Sequence, residues 1–258
     1  MRVKNGMMPL LQRRKHKSLC LILFLFFKAA NAASFEHWDV KNIEISGAGG
    51  GDWYQKRDAS LIISPFETDS VKTLQSSFQG SWKIGLDYSF FEKTLPCLNR
   101  LLIGLNVYQT STTLSGAVWQ YELPQFNNYH FKAPIKSTRL MLDLRPGFFA
   151  WRSTESYVIL GAGVAWNSTS YVETVAASGV NANSAIVLSS HTTSSLAWNF
   201  GAGFKVALTD KLSASLEYIY AILGHGSPAY DSGTVRLGTT PNFTLQSQSL
   251  LLGLSLRL

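Results

Sequence analysis

The segment LLLGLSLRL, residues 250–258, alternates strictly between two kinds of side chain. One face of the extended chain carries only leucine, at positions 250, 252, 254, 256 and 258, and the other carries Leu251, Gly253, Ser255 and Arg257. Successive side chains of a β-strand point to opposite sides, so this pattern predicts a strand with one leucine face. Such a strand needs an apolar environment on one side only.

Seven other segments show the same period of two. The clearest are residues 78–90, 139–145, 195–208 and 212–222, and weaker ones are 41–49, 101–109 and 157–167. The links between them alternate: short links lie near 91–100, 146–156 and 209–211, and long links near 50–77, 110–138, 168–194 and 223–249. This alternation is typical of a membrane barrel. We therefore predict an all-β fold, an eight-stranded antiparallel transmembrane β-barrel with short periplasmic turns and four long extracellular loops.

The size and charge of the side chains indicate which face points outward. The Trp, Phe, Tyr and Leu residues of one face are too bulky for the interior of an eight-stranded barrel. Nine charged residues share the opposite face, where small residues dominate: Glu44, Lys83, Asp87, Arg139, Asp143, Arg145, Lys205, Glu217 and Arg257. A Lys or Arg at mid-depth in lipid costs about 2 to 4 kcal/mol, so we place these residues in the lumen as a structural charge network. A soluble lipocalin-like barrel and a β-sandwich are the alternatives.

Residues 1–32 have the organisation of a secretory signal peptide. The segment opens with basic residues and no acidic ones, continues with an apolar run at 19–27, and ends with the small residues Ala30 and Ala32. The run is shorter than the ~20 residues that a spanning helix needs. We expect cleavage before Ala33, which leaves residues 33–258 as the barrel domain.

Removal of this segment changes the charge and cysteine content. The full chain has a formal net charge of +7, but seven of its 23 basic residues lie in the segment, which leaves 16 against 16 acidic residues. A neutral chain gives no reason to expect a nucleic-acid partner. Cys97 is the one cysteine that remains, so we expect no disulfide, no metal site and no cofactor.

Residues 40–258 resemble the small outer-membrane β-barrels of the opacity-protein and OmpA type. The segment 119–129, WQYELPQFNNY, followed by KSTRLML at 136–142, is similar to one bacterial subgroup of such surface proteins. The resemblance implies an outer-membrane location, contact with outer-membrane lipid and lipopolysaccharide, periplasmic chaperones and the barrel-assembly machinery as partners during insertion, and an exposed loop surface. One departure is the final residue, Leu258, where such barrels usually end in an aromatic residue.

Several motifs are candidate catalytic or binding sites. The glycine pairs at 161/163 and 201/203 lack the third glycine of a dinucleotide fingerprint and open no helix, so we interpret them as small lumen residues. The sequence His225-Gly226-Ser227 resembles the His-x-Ser of lipid A deacylases, with Glu217 or Asp231 as the carboxylate that a triad requires. His130 and His191 are single histidines in different links, unlike the clustered acids and histidines of an omptin-type protease. A narrow pore lined by the interior charges is a further alternative.

The long links are rich in aromatic residues. Candidate loop contacts are Trp53, Tyr54, Trp119, Tyr121, Phe126 and Tyr129. Aromatic side chains in loops either pack against each other or act as binding anchors. We predict a non-enzymatic surface protein in which the barrel is the membrane anchor and the loops meet an external ligand: host molecules, other bacteria or lipopolysaccharide.

Overall fold

The computed structural model describes residues 40–95, 98–151, 153–176, 185–229 and 239–258, without the side chains of 91–95, 149 and 150. The strands are β1 (Ile43–Tyr54), β2 (Ala59–Ser64), β3 (Glu67–Ser76), β4 (Gln79–Leu95), β5 (Leu98–Trp119), β6 (Asn127–Trp151), β7 (Thr154–Val175), β8 (Val187–Ala207), β9 (Leu212–Gly226) and β10 (Phe243–Arg257). Short 3-10 turns lie at Val40–Asn42, Gln120–Glu122 and Pro124–Phe126. Within these residues no helix is long and apolar enough to span a membrane. The predicted signal peptide, Cys97 and Asp231 lie outside the described residues.

Eight of the strands close into an antiparallel ring. The neighbours run β1, β4, β5, β6, β7, β8, β9, β10 and back to β1, which pairs with β10 from Glu44↔Arg257 to Tyr54↔Ser247. Strands β2 and β3 form a hairpin that continues the wall beside the far end of β5, with Ser70 opposite Trp119 and Ser76 opposite Leu114. The prediction of an eight-stranded antiparallel barrel is confirmed.

The outward face of the barrel is apolar over part of its height only. The following outward residues are exposed and form what we call the apolar band: Ile45, Trp82, Ile84, Leu86, Leu105, Leu142, Leu160, Val164, Trp166, Leu196, Trp198, Phe200, Phe204, Leu216, Tyr218, Leu250, Leu252, Leu254 and Leu256. The predicted outward direction of the large apolar residues is therefore confirmed. Beyond the band, on the side away from the start of β1 and the end of β10, the outward residues are mostly Ser, Thr, Gln and Lys.

The strands are much longer than the alternation predicted. Strands β5 and β6 have 22 and 25 residues, whereas about 9 to 11 tilted residues cross a bilayer. Most of the predicted long link at 110–138 is therefore strand, and only Gln120–Phe126 forms the turn between β5 and β6. The other long links are shortened in the same way, and 50–77 contains the β2–β3 hairpin. We call the part of the barrel beyond the band the cap: residues 54–77, 111–136, 168–194 and 226–246, as far as they are described.

In the cap the large apolar side chains face inward, whereas in the band they face outward. On β6, Phe131, Ala133 and Ile135 are buried inside the cap, while the apolar residues of the band, such as Leu142, occupy the other parity and face outward. The β5–β6 register runs without a shift from Arg100↔Gly147 to Val118↔Tyr129, so the strand is continuous while its apolar residues change sides. The core of the cap contains Tyr54, Leu61, Val71, Leu114, Val118, Tyr129, Phe131, Ile135, Tyr171, Leu188 and Phe243. The cap thus has the arrangement of a soluble β-barrel, with an apolar interior and a polar, solvent-exposed outer surface.

Candidate functional site: the barrel lumen and the cap

The lumen inside the band holds a central charge network. Lys83 Nζ on β4 lies 2.7 Å from Glu217 Oε2 on β9, and the Tyr157 hydroxyl donates to Glu217 Oε1 at 2.8 Å. Arg145 Nη1 lies 3.0 Å from Asp87 Oδ2, and Arg145 Nη2 lies 3.4 Å from Asp143 Oδ2. The Lys83–Glu217 pair joins β4 and β9, which are not neighbours in the ring, so the network crosses the lumen at this height.

Glycine residues in the wall beside the central network leave room for its carboxylates. A side chain at Gly104 would overlap the Asp87 carboxylate, and one at Gly161 would overlap the Asp143 carboxylate. The pairs at 161/163 and 201/203 lie within strands β7 and β8, so they do not open a helix as a dinucleotide-binding loop does. At position 161 the absence of a Cβ leaves room for a buried carboxylate.

A second charge cluster lies nearer the ends of the chain. Arg100 Nη2 is 3.0 Å from Glu44 Oε2, Lys205 forms an ion pair with the same carboxylate, and Arg100 Nη1 is 3.8 Å from Glu155 Oε2. A cavity of about 230 Å³ opens beside them and reaches Arg257, the least buried of the predicted network residues. The sequence pattern does not predict Arg100 and Glu155 as lumen residues, because both lie within the predicted short links at 91–100 and 146–156. Extension of the 101–109 alternation by one residue would have placed Arg100 inside.

Arg139 is a predicted network residue that forms no ion pair or hydrogen bond through its guanidinium within the described part of the chain. Its side chain is fully buried, and its guanidinium lies 4.6 Å from the ring centre of Tyr108. Among the described residues its three nitrogens have no hydrogen-bond partner. Asp52, which the sequence reasoning also missed, accepts a hydrogen bond from Ser249 at 2.6 Å through one oxygen and lacks a described partner at the other.

The structure separates the six predicted loop aromatics into three groups. Tyr54 and Tyr129 are strand residues buried in the cap core, so their prediction as loop contacts is wrong: the strands continue past the band, and these side chains face inward. Trp53 and Trp119 also lie in strands, where Trp53 stacks on Phe78 at 6.3 Å and the Lys72 ammonium lies 5.2 Å from the Trp119 ring. Only Tyr121 and Phe126 belong to a turn.

That turn, Gln120–Phe126, forms the tip of the β5–β6 hairpin. Tyr121 and Leu123 are 53% and 40% exposed, and Phe126, 41% exposed, meets the Tyr121 ring edge to face at 6.2 Å. Tyr121 and Glu122 have φ angles of 54° and 59°, a region that non-glycine residues seldom occupy. The Asp69 carboxylate holds this backbone by accepting the Tyr121 N–H at 3.1 Å. The tip is therefore an apolar surface on a strained, anchored turn.

Comparison with known proteins decides the family. The family model described as outer membrane protein beta-barrel domain matches residues 18–257. The chain belongs to this family of outer-membrane β-barrel proteins. No curated protein matches the chain significantly.

Solved structures of other outer-membrane proteins are similar to this chain at low sequence identity. The outer membrane protease OmpT from Escherichia coli is 8% identical, with 87% of this chain and 100% of that chain covered and a TM-score of 0.51. Neisserial surface protein A is 15% identical over 84% of this chain and 97% of that chain, with a TM-score of 0.41. Ail, the attachment invasion locus protein of Yersinia pestis, is 13% identical over 84% and 99%, with a TM-score of 0.36.

Family membership indicates the bacterial outer membrane and so orients the barrel. Strand β1 begins and β10 ends at the same edge, next to the short β8–β9 turn, where the Arg257 N–H donates to the Lys211 carbonyl at 2.8 Å. Barrels of this membrane have their short turns on the periplasmic side. By this rule we expect the second charge cluster at the periplasmic end of this outer-membrane barrel and the cap outside the cell.

Two buried acids lie in the cap, outside the membrane-spanning segments. Glu173 accepts hydrogen bonds from the Tyr171 hydroxyl at 2.7 Å and from the Ile186 N–H at 3.0 Å, and burial raises its pKa to about 7. Burial also raises the pKa of Asp69 to about 6, and the nearby Glu67 adds to this rise. Each acid joins separate segments: Glu173 joins β7 to residue 186, and Asp69 joins β3 to the tip.

The histidines do not form a catalytic constellation in the described part of this outer-membrane barrel. Ser227 Oγ has Asn242 Oδ1 as its partner at 3.4 Å, and the Glu217 carboxylate bonds to Lys83 and Tyr157 rather than to His225. His130 and His191 lie on different strands, β6 and β8. Within the same residues no group of His, Cys, Asp and Glu is arranged to hold a metal ion.

Proposed function

We propose that this protein is a non-enzymatic surface-binding protein that presents the tip Gln120–Phe126 to a ligand outside the cell. The observation that carries the proposal is the exposure of Tyr121, Leu123 and Phe126 together on one anchored turn. Aromatic side chains in such positions supply most of the binding energy in many protein interfaces. Host surfaces and other bacterial cells are the partners that this location permits.

The cap supports this role because it holds the tip rigidly. Strands β5 and β6 stay paired up to Val118↔Tyr129, directly below the turn. The stacked rings of Phe131, Tyr171 and Phe243, with centroids 5.6 Å and 6.2 Å from Phe131, fill the cap beneath it. A rigid tip loses little conformational entropy when it binds, which favours affinity. Positive φ angles in non-glycine residues cost free energy and cluster at functional sites.

A surface role also requires that the chain be exported and inserted into the outer membrane. We propose that residues 1–32 are removed before Ala33 and that periplasmic chaperones and the barrel-assembly machinery then insert residues 33–258. The intact mass of the protein purified from outer membranes tests this step, since cleavage gives a chain that begins at Ala33. A mass that retains residues 1–32 would contradict it.

The binding proposal can be tested with bacteria that display the protein. The double variant Y121A/F126A should reduce attachment to cultured epithelial cells, or cell-to-cell aggregation, at least tenfold. Phe66→Ser is the matched control, because Phe66 is 96% exposed at the neighbouring β2–β3 turn and lies outside the proposed site. A heat-modifiable band on an SDS gel shows that each variant is folded. Full attachment by the folded double variant would refute the proposal.

A further inference from the structure

Asp69 is a buried acid that connects the β2–β3 hairpin to the tip. It is 2% exposed, and its strand β3 pairs with the end of β5, directly before the tip. The Asp69 Oδ1 atom accepts the Tyr121 N–H at 3.1 Å. In the described part of the chain no cation pairs with Asp69, and Lys72 on the same strand pairs with Asp58 instead. The Asp69 carboxylate therefore faces the tip backbone without a counter-ion.

The tip backbone has a conformation that needs such a partner. Tyr121 and Glu122 have φ angles of 54° and 59°, and this left-handed region is unfavourable for residues that carry a Cβ. The same backbone places the exposed Tyr121 ring edge to face with Phe126, with 6.2 Å between the ring centroids. A hydrogen bond to a charged acceptor is stronger than one to a neutral acceptor. The hold on the tip therefore depends on the charge of Asp69.

The surroundings of Asp69 favour the uptake of a proton. Burial raises the pKa of Asp69 to about 6, and Glu67 on the same strand adds to the rise. On β7, Glu173 and Tyr171 interact electrostatically with the Asp69 carboxylate. The tip contributes the exposed acid Glu122, whereas β2 and residues 114–119 of β5 carry no titratable side chain. Asp69 therefore changes charge between neutral and mildly acidic pH.

We propose that Asp69 is the positioning residue of the tip, and that its protonation releases the tip from its binding conformation. At neutral pH the carboxylate holds the Tyr121 backbone and so keeps Tyr121 against Phe126. In acid the neutral carboxyl group holds it less tightly, and the backbone relaxes from the left-handed region. This inference rests on the proposed function, because it makes attachment through the tip dependent on pH.

Acid has the opposite effect on the cap as a whole. Protonation removes the cost of burying the charges of Asp69 and Glu173, so it stabilises the folded cap. Attachment and cap stability should therefore respond to pH in opposite directions. A residue that only stabilises the fold would move both in the same direction.

The first measurement follows the Tyr121 hydrogen bond itself. The full barrel, labelled with ¹⁵N-tyrosine, is refolded in nanodiscs, and the chemical shift of the Tyr121 amide is recorded as a function of pH. We expect a titration with a midpoint near pH 6 in the wild type and none in D69N. E173Q is the matched control, because it removes a buried acid that makes no bond to the tip. It should keep the titration, at a lower midpoint, since a neighbouring negative charge is gone.

The second measurement is attachment of displaying bacteria to fixed epithelial cells at pH 7.5 and pH 5. Wild type and E173Q should attach at least threefold less at pH 5, and D69N should attach at this lower level at both pH values. Asparagine adopts the left-handed region more readily than glutamate. D69N/E122N should therefore recover attachment at both pH values. A heat-modifiable band shows that each variant is folded.

The outcomes separate this inference from the proposed function. A Tyr121 amide that does not titrate in the wild type, or that still titrates in D69N, would overturn the inference whatever the attachment. Equal wild-type attachment at the two pH values, with Y121A/F126A still defective, would overturn the release and leave the proposed function standing. Full attachment by Y121A/F126A would refute the proposed function, and with it the role of Asp69 in attachment.

Discussion

Lys83 on β4 and Glu217 on β9 form an ion pair across the lumen, with Nζ 2.7 Å from Oε2 and both side chains almost fully buried. Neither strand neighbours the other in the ring, so the pair joins two sides of the barrel through its interior. The Arg145 guanidinium lies 4.0 Å from the same carboxylate and connects this pair to Asp87. We expect both the stability of the barrel and the closure of its lumen to depend on these contacts.

Removal of one charge from this pair should cost more than removal of both. Glu217→Gln leaves the Lys83 ammonium buried without its carboxylate, which costs about 3 to 5 kcal/mol in buried pairs. The double variant K83M/E217Q removes both charges and keeps an oxygen that accepts from Tyr157. Urea unfolding of the barrel in lipid vesicles should therefore show the double variant to be more stable than E217Q. A double variant less stable than E217Q would show that the ion pair itself is not the cause.

Conductance should depend on the same network. In planar bilayers the wild type should show no steady open level, because the ion pairs occupy the lumen at mid-height. K83S/E217S, which shortens both side chains, should show a measurable increase in conductance. A steady open level in the wild type would contradict the closed lumen and support the narrow pore.

Gly104 should not tolerate a side chain. Gly104→Ala places a methyl group where the Asp87 carboxylate lies, and overpacking of this kind costs about 1 to 3 kcal/mol. Gly47→Ala on β1 is the matched control, because nothing lies within 4 Å of the position its Cβ would take. The free energy of unfolding of the Gly47→Ala variant should stay within about 0.5 kcal/mol of the wild-type value. Equal losses for the two variants would mean that strand glycines matter here for a reason other than the room they leave.

The cap should be more stable in acid than at neutral pH. The folded pKa of Glu173 is raised from 4.5 to about 7 and that of Asp69 from 3.8 to about 6, so folding favours their protonated forms. Their effect is most favourable below about pH 4 and is lost as the pH rises through 6 to 7. Hydrogen exchange of the cap amides, corrected for intrinsic rates, should be slower at pH 5 than at pH 7.5.

The double variant D69N/E173Q is the control for this pH dependence. It removes both titrating groups and should exchange at similar corrected rates at the two pH values. If it keeps the wild-type pH dependence, other groups are responsible.

His225→Ala should leave the membrane lipid unchanged. The lipid A mass spectrum of cells that express the variant should match that of cells with the wild type, because no described carboxylate orients the histidine. Loss of a deacylated species in the variant alone would favour the lipid-modifying enzyme over the binding protein.

The sequence by itself determined the strand type, the number of strands in the ring and the outward direction of the large apolar residues that form the band. Leucine alternation at 250–258 was sufficient for β10, and the parity of Lys83 and Glu217 placed both in the lumen. These inferences succeed because lipid outside and polar groups inside impose opposite requirements on neighbouring residues. Any strand in that environment must alternate.

Tertiary structure alone decided how far the strands continue and which charges meet. On β6 the apolar residues move from outward Leu142 to inward Ile135 and Phe131, because the wall leaves lipid and enters water while the interior becomes an apolar core. In sequence this change of phase resembles the end of a strand, so the pattern predicts loops at Tyr54 and Tyr129. The pairing of Arg100 with Glu44 also depends on which strands face each other across the ring, and a period of two carries no information about that.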